Sequence, residues 1–145
     1  MMSRIDETDA KILELLEEDA RRSFTEIAHK LKVSESAIRK RVTAMQKEGV
    51  ITKFTIKVDH GKLGLNTIAI VGLDVESSKM LEIAQRLCDL KELKCVATAS
   101  GDHMIMLEIW ARNGKELNKL ISEKIGKIAG VKQVCPALIL EKLKD

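Results

Sequence analysis

The chain has 145 residues, of which 45% are hydrophobic, and it carries a formal net charge of +3. Two Phe and one Trp are its only aromatic residues, so any core must be built from aliphatic side chains and Met. No run of about eighteen apolar residues occurs, and no signal-peptide-like apolar stretch opens the sequence. We therefore expect a cytoplasmic protein of one domain or two small ones, with no membrane partner.

The charges are distributed unevenly along the chain. Residues 1–29 contain four Lys or Arg against eight Asp or Glu, whereas residues 30–62 contain nine against three. Residues 66–145 are close to neutral. A basic segment that follows an acidic one is typical of a surface that binds nucleic-acid phosphates. A solvated surface without a partner is the alternative.

The three cysteines are odd in number and lack the spacing of metal ligands: Cys88, Cys95 and Cys135. Two of them stand in apolar surroundings in the sequence, so we expect buried thiols in a reducing compartment. The sequence accordingly predicts no metal site and no cofactor.

Three helices are predicted near the start of the chain. Residues 7–18 carry an apolar stripe, which indicates a first helix. Ser23, with Glu26 three residues later, forms the capping box of a second, short helix. Ser34 is a natural N-cap for a third helix over residues 35–48.

A wing is predicted after the third helix. Gly49 stands where the end of that helix needs a left-handed residue. Beyond it, three apolar residues alternate with polar ones, which is strand periodicity: Phe54, Ile56 and Val58. Lys53 or Lys57, on the polar side of this strand, would touch a DNA backbone.

The hydrophobic pattern of the second half of the chain predicts a sheet with two helices. A β-rich run covers residues 67–75, and Ser77 and Ser78 are predicted to cap a helix that ends near Leu90. The tight connection Gly101-Asp102 joins the next two strands. The remaining elements are strands over 94–100 and 103–111, a helix over 115–128 and a strand over 131–140.

The element order is β-α-β-β-α-β, the ferredoxin-like arrangement. We therefore predict an α+β protein with a winged helix-turn-helix in residues 1–65 and a ferredoxin-like sandwich domain in residues 66–145. Pro136 places the last strand at a sheet edge or marks a bulge. The first helix of this domain is expected to face inward with Leu81, Ala84, Leu87 and Cys88.

Helices would cover one face of this sheet, while its other face still carries many apolar residues. An exposed apolar sheet face needs a partner. The sequence therefore predicts a homodimer that forms through this face, and a monomeric mass at micromolar concentration would contradict that prediction.

The residues of the motif 24–43 fit a helix-turn-helix, in which the second helix enters the major groove of DNA and the first braces it. At 100° per residue, Ile38, Val42 and Met45 share the core face of the third helix. The opposite face is polar. The DNA-binding residues predicted in this region are Ser34, Ser36, Ala37, Arg39, Lys40, Arg41, Thr43 and Lys47.

The predicted contacts fall into two classes. Near the helix N-terminus, Ser36, Ala37 and Lys40 are expected to approach base edges. The phosphate contacts are expected from three further cations: Arg39, Arg41 and Lys47. Small trihelical units with basic residues also serve as protein-protein modules, which is the alternative for this region.

Two other functions compete with a transcription regulator. A small-molecule sensor or an enzyme could use the ferredoxin-like half, because that fold hosts many chemistries. The sequence contains no nucleophile-base pair, glycine-rich phosphate loop or clustered metal ligands, so we expect no enzyme. An architectural chromatin protein would share the basic surface but would lack sequence preference.

The order and spacing of several short motifs resemble the Lrp/AsnC family, also called feast/famine regulators, over essentially the full chain. The stretch from Ser100 to Met106 is similar to archaeal members. The residues that carry the resemblance are Ile5-Asp6-x-x-Asp9-x-x-Ile12-Leu13, Asp19-Ala20-Arg21, Ser23-x-x-Glu26-Ile27-Ala28, Val33-Ser34, Arg39-Lys40-Arg41-Val42, Glu48-Gly49-Val50-Ile51 and Gly101-Asp102.

The resemblance implies a sequence-specific double-stranded DNA-binding transcription regulator, often an autoregulatory repressor. It implies dimers that pair through the sheet and assemble into tetramers or octamers. It also implies an amino acid or related small-molecule effector bound between dimers near the hairpin. Its candidate site in this chain is Gly101, Asp102 and His103.

The hairpin departs from the family pattern in one place. Many amino-acid-responsive members read Gly-Asp/Glu-x-Asp, whereas Met104 replaces the second acid here. A charge-assisted contact with a ligand ammonium is therefore absent at that point. The effector is then a different amino acid, another molecule, or none. Asp102 has an alternative explanation, since Gly-Asp is common turn chemistry, and a lone His103 is more often structural than metal-binding.

Overall fold

The computed structural model describes residues 5–144, which belong to two compact units that divide after Val58. Residues 59–65 therefore belong with the second unit. The ring of His60, for example, lies 3.3 Å from that of Trp110, measured between centroids. None of the helices described within residues 5–144 is long and apolar enough to cross a membrane.

The first unit contains three helices, as predicted: α1 (Glu7–Glu18), α2 (Phe24–Leu31) and α3 (Glu35–Lys47). Their apolar faces enclose one small core. The predicted core face of α3 is confirmed, because all three of its residues are buried. The buried residues of this core are Ile12, Leu16, Ile27, Ala28, Ile38, Val42 and Met45.

The predicted helix caps are confirmed in the first unit. Glu26 N donates to Ser23 Oγ at 3.1 Å, while Ser23 N donates back to Glu26 Oε2 at 2.9 Å. The N-cap of α3 is Ser34, whose hydroxyl accepts from Ala37 N at 3.2 Å. Gly49 takes the left-handed conformation (φ +75°) just after α3, as expected of a residue without a Cβ.

The predicted strand of the wing does not form. Residues 52–59 contain no strand, and the apolar side chains of Phe54, Ile56 and Val58 are all exposed, Ile56 by 77%. Alternation is a property of one segment, but a strand also needs a neighbour with which to share backbone hydrogen bonds. No described residue of the first unit lies in such a neighbouring strand. The first unit is therefore a helix-turn-helix without an assembled wing.

The second unit contains four strands: β1 (Thr67–Val75), β2 (Leu93–Thr98), β3 (Ile105–Ala111) and β4 (Val131–Leu138). They form an antiparallel sheet with the order β2-β3-β1-β4, which is the predicted ferredoxin-like arrangement. Pro136 lies on an edge strand, as predicted, where its missing N–H costs no ladder bond on the open side. It stands opposite Val71 of the central strand β1.

Two helices cover one face of this sheet, α4 (Met80–Cys88) and α5 (Gly114–Leu120). The second predicted helix is divided, because a wider π-helical turn over Ile121–Ile125 follows α5. The core between the helices and the sheet consists of Ala69, Val71, Leu73, Val75, Ile83, Leu87, Ile105, Leu107, Ile109, Ala111, Leu117, Leu120 and Ile125.

The predicted inward face of α4 is wrong at two positions. Leu81 is 69% exposed and Cys88 is exposed, whereas Ile83 and Leu87 are buried. At 100° per residue Leu81 lies opposite Ile83, so both cannot face the sheet. The predicted serine cap is also absent, because Ser77–Lys79 form a 3₁₀ turn and no side-chain cap precedes Met80.

The cysteines do not behave as the buried thiols that were expected. Cys88 and Cys95 are exposed, and Cys135 is half-buried. Apolar neighbours in the sequence did not indicate burial here because Cys95 lies on β2, a strand at the edge of the sheet. Within residues 5–144, no three His, Cys, Asp or Glu side chains are grouped so that they could hold a metal ion.

Candidate functional site

The outer face of α3 is polar and open. Ser36, Lys40, Thr43 and Lys47 are all exposed, on the side of the helix opposite its buried residues. Among the described residues, Lys40 and Lys47 have no ion-pair partner. Two unpaired ammonium groups on one side of a helix leave their full charge available to an external anion.

At the N-terminus of α3, the predicted polar residues also serve the helix itself. Ser34 Oγ accepts the Ala37 N–H, and it lies 3.1 Å from Ser36 Oγ. The Ala37 side chain is half-buried. Ser34 is therefore committed to capping, while Ser36 remains exposed and can exchange its hydroxyl contact for one to a ligand.

Arg39 lies on one flank of this face. It pairs with Glu35 one turn earlier, and its guanidinium carbon lies 5.4 Å from the centre of the Phe24 ring. Its side chain is 64% exposed. An exposed pair within one helix is weak in water, so a phosphate could displace Glu35 at small cost.

Arg41 lies on the other flank, and its guanidinium group is bound by two carboxylates of the same unit. Its Nη1 atom donates to Asp6 Oδ2 at 2.7 Å and to Asp9 Oδ1 at 2.8 Å. The hydrogen bonds that Arg41 donates to Asp9 and Asp6 raise its pKa. The backbone N–H of Asp9, followed by the bond from Arg41, lowers the pKa of Asp6. Of the predicted phosphate-binding cations, Arg41 alone is held by carboxylates of another helix.

The hairpin loop between β2 and β3 carries the residues of the candidate effector site. Ala99 N donates to Met104 O at 2.9 Å, which closes the loop, and Met104 N donates to Leu73 O at 3.0 Å, which ties it to β1. Gly101 has a φ of +124°, a conformation that L side chains rarely adopt. Asp102 at the tip is exposed and makes no hydrogen bond or ion pair within the described part of the chain.

His103 has a structural position that the sequence did not reveal. Its Nδ1 atom lies 3.2 Å from Asp74 Oδ1, and its ring covers Gly72 on β1. A Cβ at Gly72 would lie 2.2 Å from His103 Cδ2. The loop therefore contains one residue that is anchored to the sheet, His103, and one that is free at the tip, Asp102.

The comparisons with known proteins cover both units. Residues 5–46 match the AsnC-type helix-turn-helix domain, and residues 68–145 match the Lrp/AsnC ligand binding domain. The chain is 51% identical over 140 residues to the HTH-type transcriptional regulator LrpA of Pyrococcus horikoshii. That match covers 97% of this chain and 99% of the relative.

Solved structures agree with this match. AsnC of E. coli superposes with a TM-score of 0.90 at 26% identity, over 99% of this chain and 97% of AsnC. A transcriptional regulator from Neisseria meningitidis, in a structure described as its complex with L-Met, superposes with a TM-score of 0.91. At 17% identity, over 98% of this chain and 94% of that one, the latter likeness shows the fold alone.

Proposed function

Given that the chain belongs to the Lrp/AsnC family and is a DNA-binding transcriptional regulator rather than an enzyme, we propose that α3 reads a pseudo-palindromic double-stranded operator as part of a homodimer. The observation that carries the proposal is the open polar face of α3, with Lys40 and Lys47 unpaired among the described residues. Such a face, backed by a rigid core, suits the major groove.

The residues of this face divide by position. Ser36, Ala37 and Lys40, in the first turns of α3, approach base edges, and Thr43 continues the same face. Arg39 and Lys47 bind phosphates, which fix the register of the helix on the duplex. Ser34 supports this end of the helix through its cap to Ala37 N.

The test compares Lys40→Ala with the exposed Gln46→Ala on the same helix. The probes are a duplex selected by the protein from a random pool and a scrambled duplex of the same composition. We expect Lys40→Ala to lose about 1–3 kcal/mol on the selected duplex and distinctly less on the scrambled one. Gln46→Ala should keep both affinities. An equal loss on both duplexes for Lys40→Ala would refute base reading by Lys40.

The homodimer is proposed to form through the open face of the sheet. Ile68, Ile70 and Met106 alternate with the buried residues of β1 and β3, so they point away from the covering helices. A second copy would bury this apolar face. Sedimentation-velocity ultracentrifugation at micromolar concentration should give at least a dimer, with tetramers or octamers as further assembly. Ile70→Asp should shift the mass toward the monomer.

The second unit is proposed to respond to an amino acid or a related small molecule through Gly101, Asp102 and His103. The match to a ligand binding domain supports this, as does the exposed Asp102 carboxylate at the hairpin tip. Mass spectrometry of the purified protein, followed by calorimetry with the common amino acids, should find a ligand. Asp102→Asn should weaken the binding of that ligand, while Asp89→Asn, at the exposed residue that follows α4, should not. Calorimetry without heat for any of them would oppose an amino-acid effector.

Within the cytoplasm, we propose that the protein represses its own promoter. A regulator whose dimer covers the DNA at its own gene excludes the transcription machinery in proportion to its concentration. Footprinting on the DNA upstream of its gene should show protection at moderate salt. In vitro transcription from that fragment should fall as protein is added, and a rise would show an activator instead.

A further inference from the structure

A single guanidinium nitrogen connects the recognition helix to the start of the first helix. Arg41 Nη1 donates to Asp6 and Asp9, which precede it in the chain by 35 and 32 residues. The Asp9 side chain is 14% exposed and that of Arg41 35%, so the contact is partly shielded from water. Partial burial strengthens such charge-assisted bonds relative to those of a fully exposed pair.

The two carboxylates already have a second role. Asp9 N donates to Asp6 Oδ1 at 2.8 Å, and Asp6 N donates to Asp9 Oδ2 at 3.2 Å, which together make the reciprocal cap of α1. Their orientation is therefore fixed by the backbone before Arg41 arrives. A pair of pre-oriented acceptors gives Arg41 a defined position instead of one among many rotamers.

Apolar packing alone does not define the rotation of α3 about its own axis as sharply. Ile38, Val42 and Met45 contribute burial, which is non-directional and roughly proportional to area. Hydrogen bonds between fixed groups are directional, and they weaken steeply when they are misaligned. Lys40 is the neighbour of Arg41 in α3, so any rotation that breaks the bridge also moves Lys40.

We propose that Arg41 is a positioning residue for DNA reading, which fixes the rotation of α3 by bridging Asp6 and Asp9 so that Lys40 and Ser36 face the bases. Arg41 thereby differs from the neighbouring cations, which contact DNA directly. This inference rests on the proposed function of α3 as the reading helix. The lowered pKa of Asp6 is in line with this geometry, because the backbone N–H of Asp9 and then the bond from Arg41 favour the ionised carboxylate.

The test uses the full-length protein with Arg41→Met, and Lys47→Met as the matched loss of one cation from the same helix. The selected and scrambled duplexes described above serve as probes, and each affinity is measured as a function of salt. We expect Arg41→Met to keep the wild-type dependence of affinity on salt. Its specificity ratio, which is the affinity for the selected duplex divided by that for the scrambled one, should fall about tenfold, the size of one lost base contact. Lys47→Met should reduce the slope by about 1.8, which is about 0.9 for each of the two phosphate contacts that the homodimer loses, and should weaken both duplexes alike.

A second variant, Asp9→Asn, weakens the same bridge from the side of the carboxylate, so the inference does not depend on the folding of Arg41→Met alone. Asp9→Asn removes a negative charge beside the reading helix, so simple electrostatics predicts tighter binding to both duplexes by the same factor and an unchanged specificity ratio. The bridge predicts a fall in the specificity ratio. Circular dichroism checks that each variant is folded.

The outcomes separate the two proposals. If Arg41→Met lowers the salt slope by about 1.8, as expected for two lost phosphate contacts in the homodimer, and weakens both duplexes equally, Arg41 contacts a phosphate and the inference is wrong. Unchanged specificity ratios in folded Arg41→Met and Asp9→Asn overturn it as well, including the case in which Asp9→Asn binds both duplexes more tightly by the same factor. If the wild-type protein shows no preference for any duplex, the proposed function of α3 fails first.

Discussion

The interactions that stabilise the helical unit differ from those that stabilise the sheet unit. The helical unit has a core of seven buried residues and depends on reciprocal polar ties, namely the capping boxes of α1 and α2 and the Arg41 bridge. The sheet unit buries thirteen residues in its core; α4 begins without any side-chain cap, and Asn113 caps α5. Because a small core supplies less burial, directional polar bonds have more influence on how the helical unit is arranged. The sheet unit should depend chiefly on packing.

The largest effect that this contrast predicts lies in the sheet core. Leu107, on the central strand β3, is 1% exposed. Leu107→Ala should lower the free energy of unfolding by about 2–5 kcal/mol, since it removes buried methyl groups and leaves a cavity. Urea denaturation followed by the fluorescence of Trp110, the only tryptophan, reports on this unit. Leu81→Ala, a control on the exposed side of α4, should change stability by less than about 0.5 kcal/mol.

A smaller effect is expected where the sheet meets the hairpin loop. Gly72→Ala would place a methyl group against the His103 ring and force the ring to move, at about 1–3 kcal/mol. His103→Ala should relieve this clash. The double variant should therefore be more stable than Gly72→Ala alone, as a double-mutant cycle in urea would show. Additive losses would mean that His103 does not cover Gly72 in solution.

In the helical unit, removal of one capping hydrogen bond should lower the free energy of unfolding by about 1 kcal/mol. Ser23→Ala removes the acceptor for Glu26 N and should cost about that much in thermal or urea unfolding followed by circular dichroism. Ser78→Ala is the counterpart in the sheet unit. Because Ser78 caps no helix there, its loss should stay within about 0.5 kcal/mol. Equal losses at the two serines would remove the distinction between the units.

The smallest predicted effect is on the stability of the fold at acidic pH. The backbone N–H of Ser23, followed by its hydroxyl, lowers the pKa of Glu26 below its ordinary value of 4.5. A lowered folded-state pKa stabilises the fold fully above 4.5, and this contribution is lost as the pH falls through the lowered value. Glu26→Gln should flatten the pH dependence of the urea midpoint below about pH 5. Glu17→Gln, at an exposed carboxylate without a described hydrogen bond, is the control for the loss of one negative charge.

Local signals in the sequence were sufficient for most of the fold. Ser23, Glu26 and Ser34 act on the helices that they precede, so their side-chain types predict the caps directly. The periodicity of residues 67–75 likewise predicts β1 to the residue, because one face of that strand is buried. Ile56 shows the limit of this reasoning, since its alternating pattern cannot supply a partner strand.

The site was less predictable from the sequence, because part of it depends on contacts between residues that are distant in the chain. The charge and position of Lys40 on α3 can be predicted from helical geometry alone. The bridge from Arg41 to Asp6 and Asp9 joins residues more than thirty positions apart, and helical periodicity carries no information at that range. Lys32 provides a local example: it adopts a left-handed conformation in the turn, with φ of +56°, and no glycine marks the place.

Selection of binding sites from a pool of random duplexes tests the central claim most directly. If α3 reads DNA as part of a homodimer, the wild-type protein should enrich a pseudo-palindrome with half-sites about 10 base pairs, or a multiple of that, apart. Its affinity for this sequence should exceed that for scrambled DNA by about a thousandfold or more. A pool that stays random, with a ratio near one, would contradict the account and indicate an architectural DNA-binding protein.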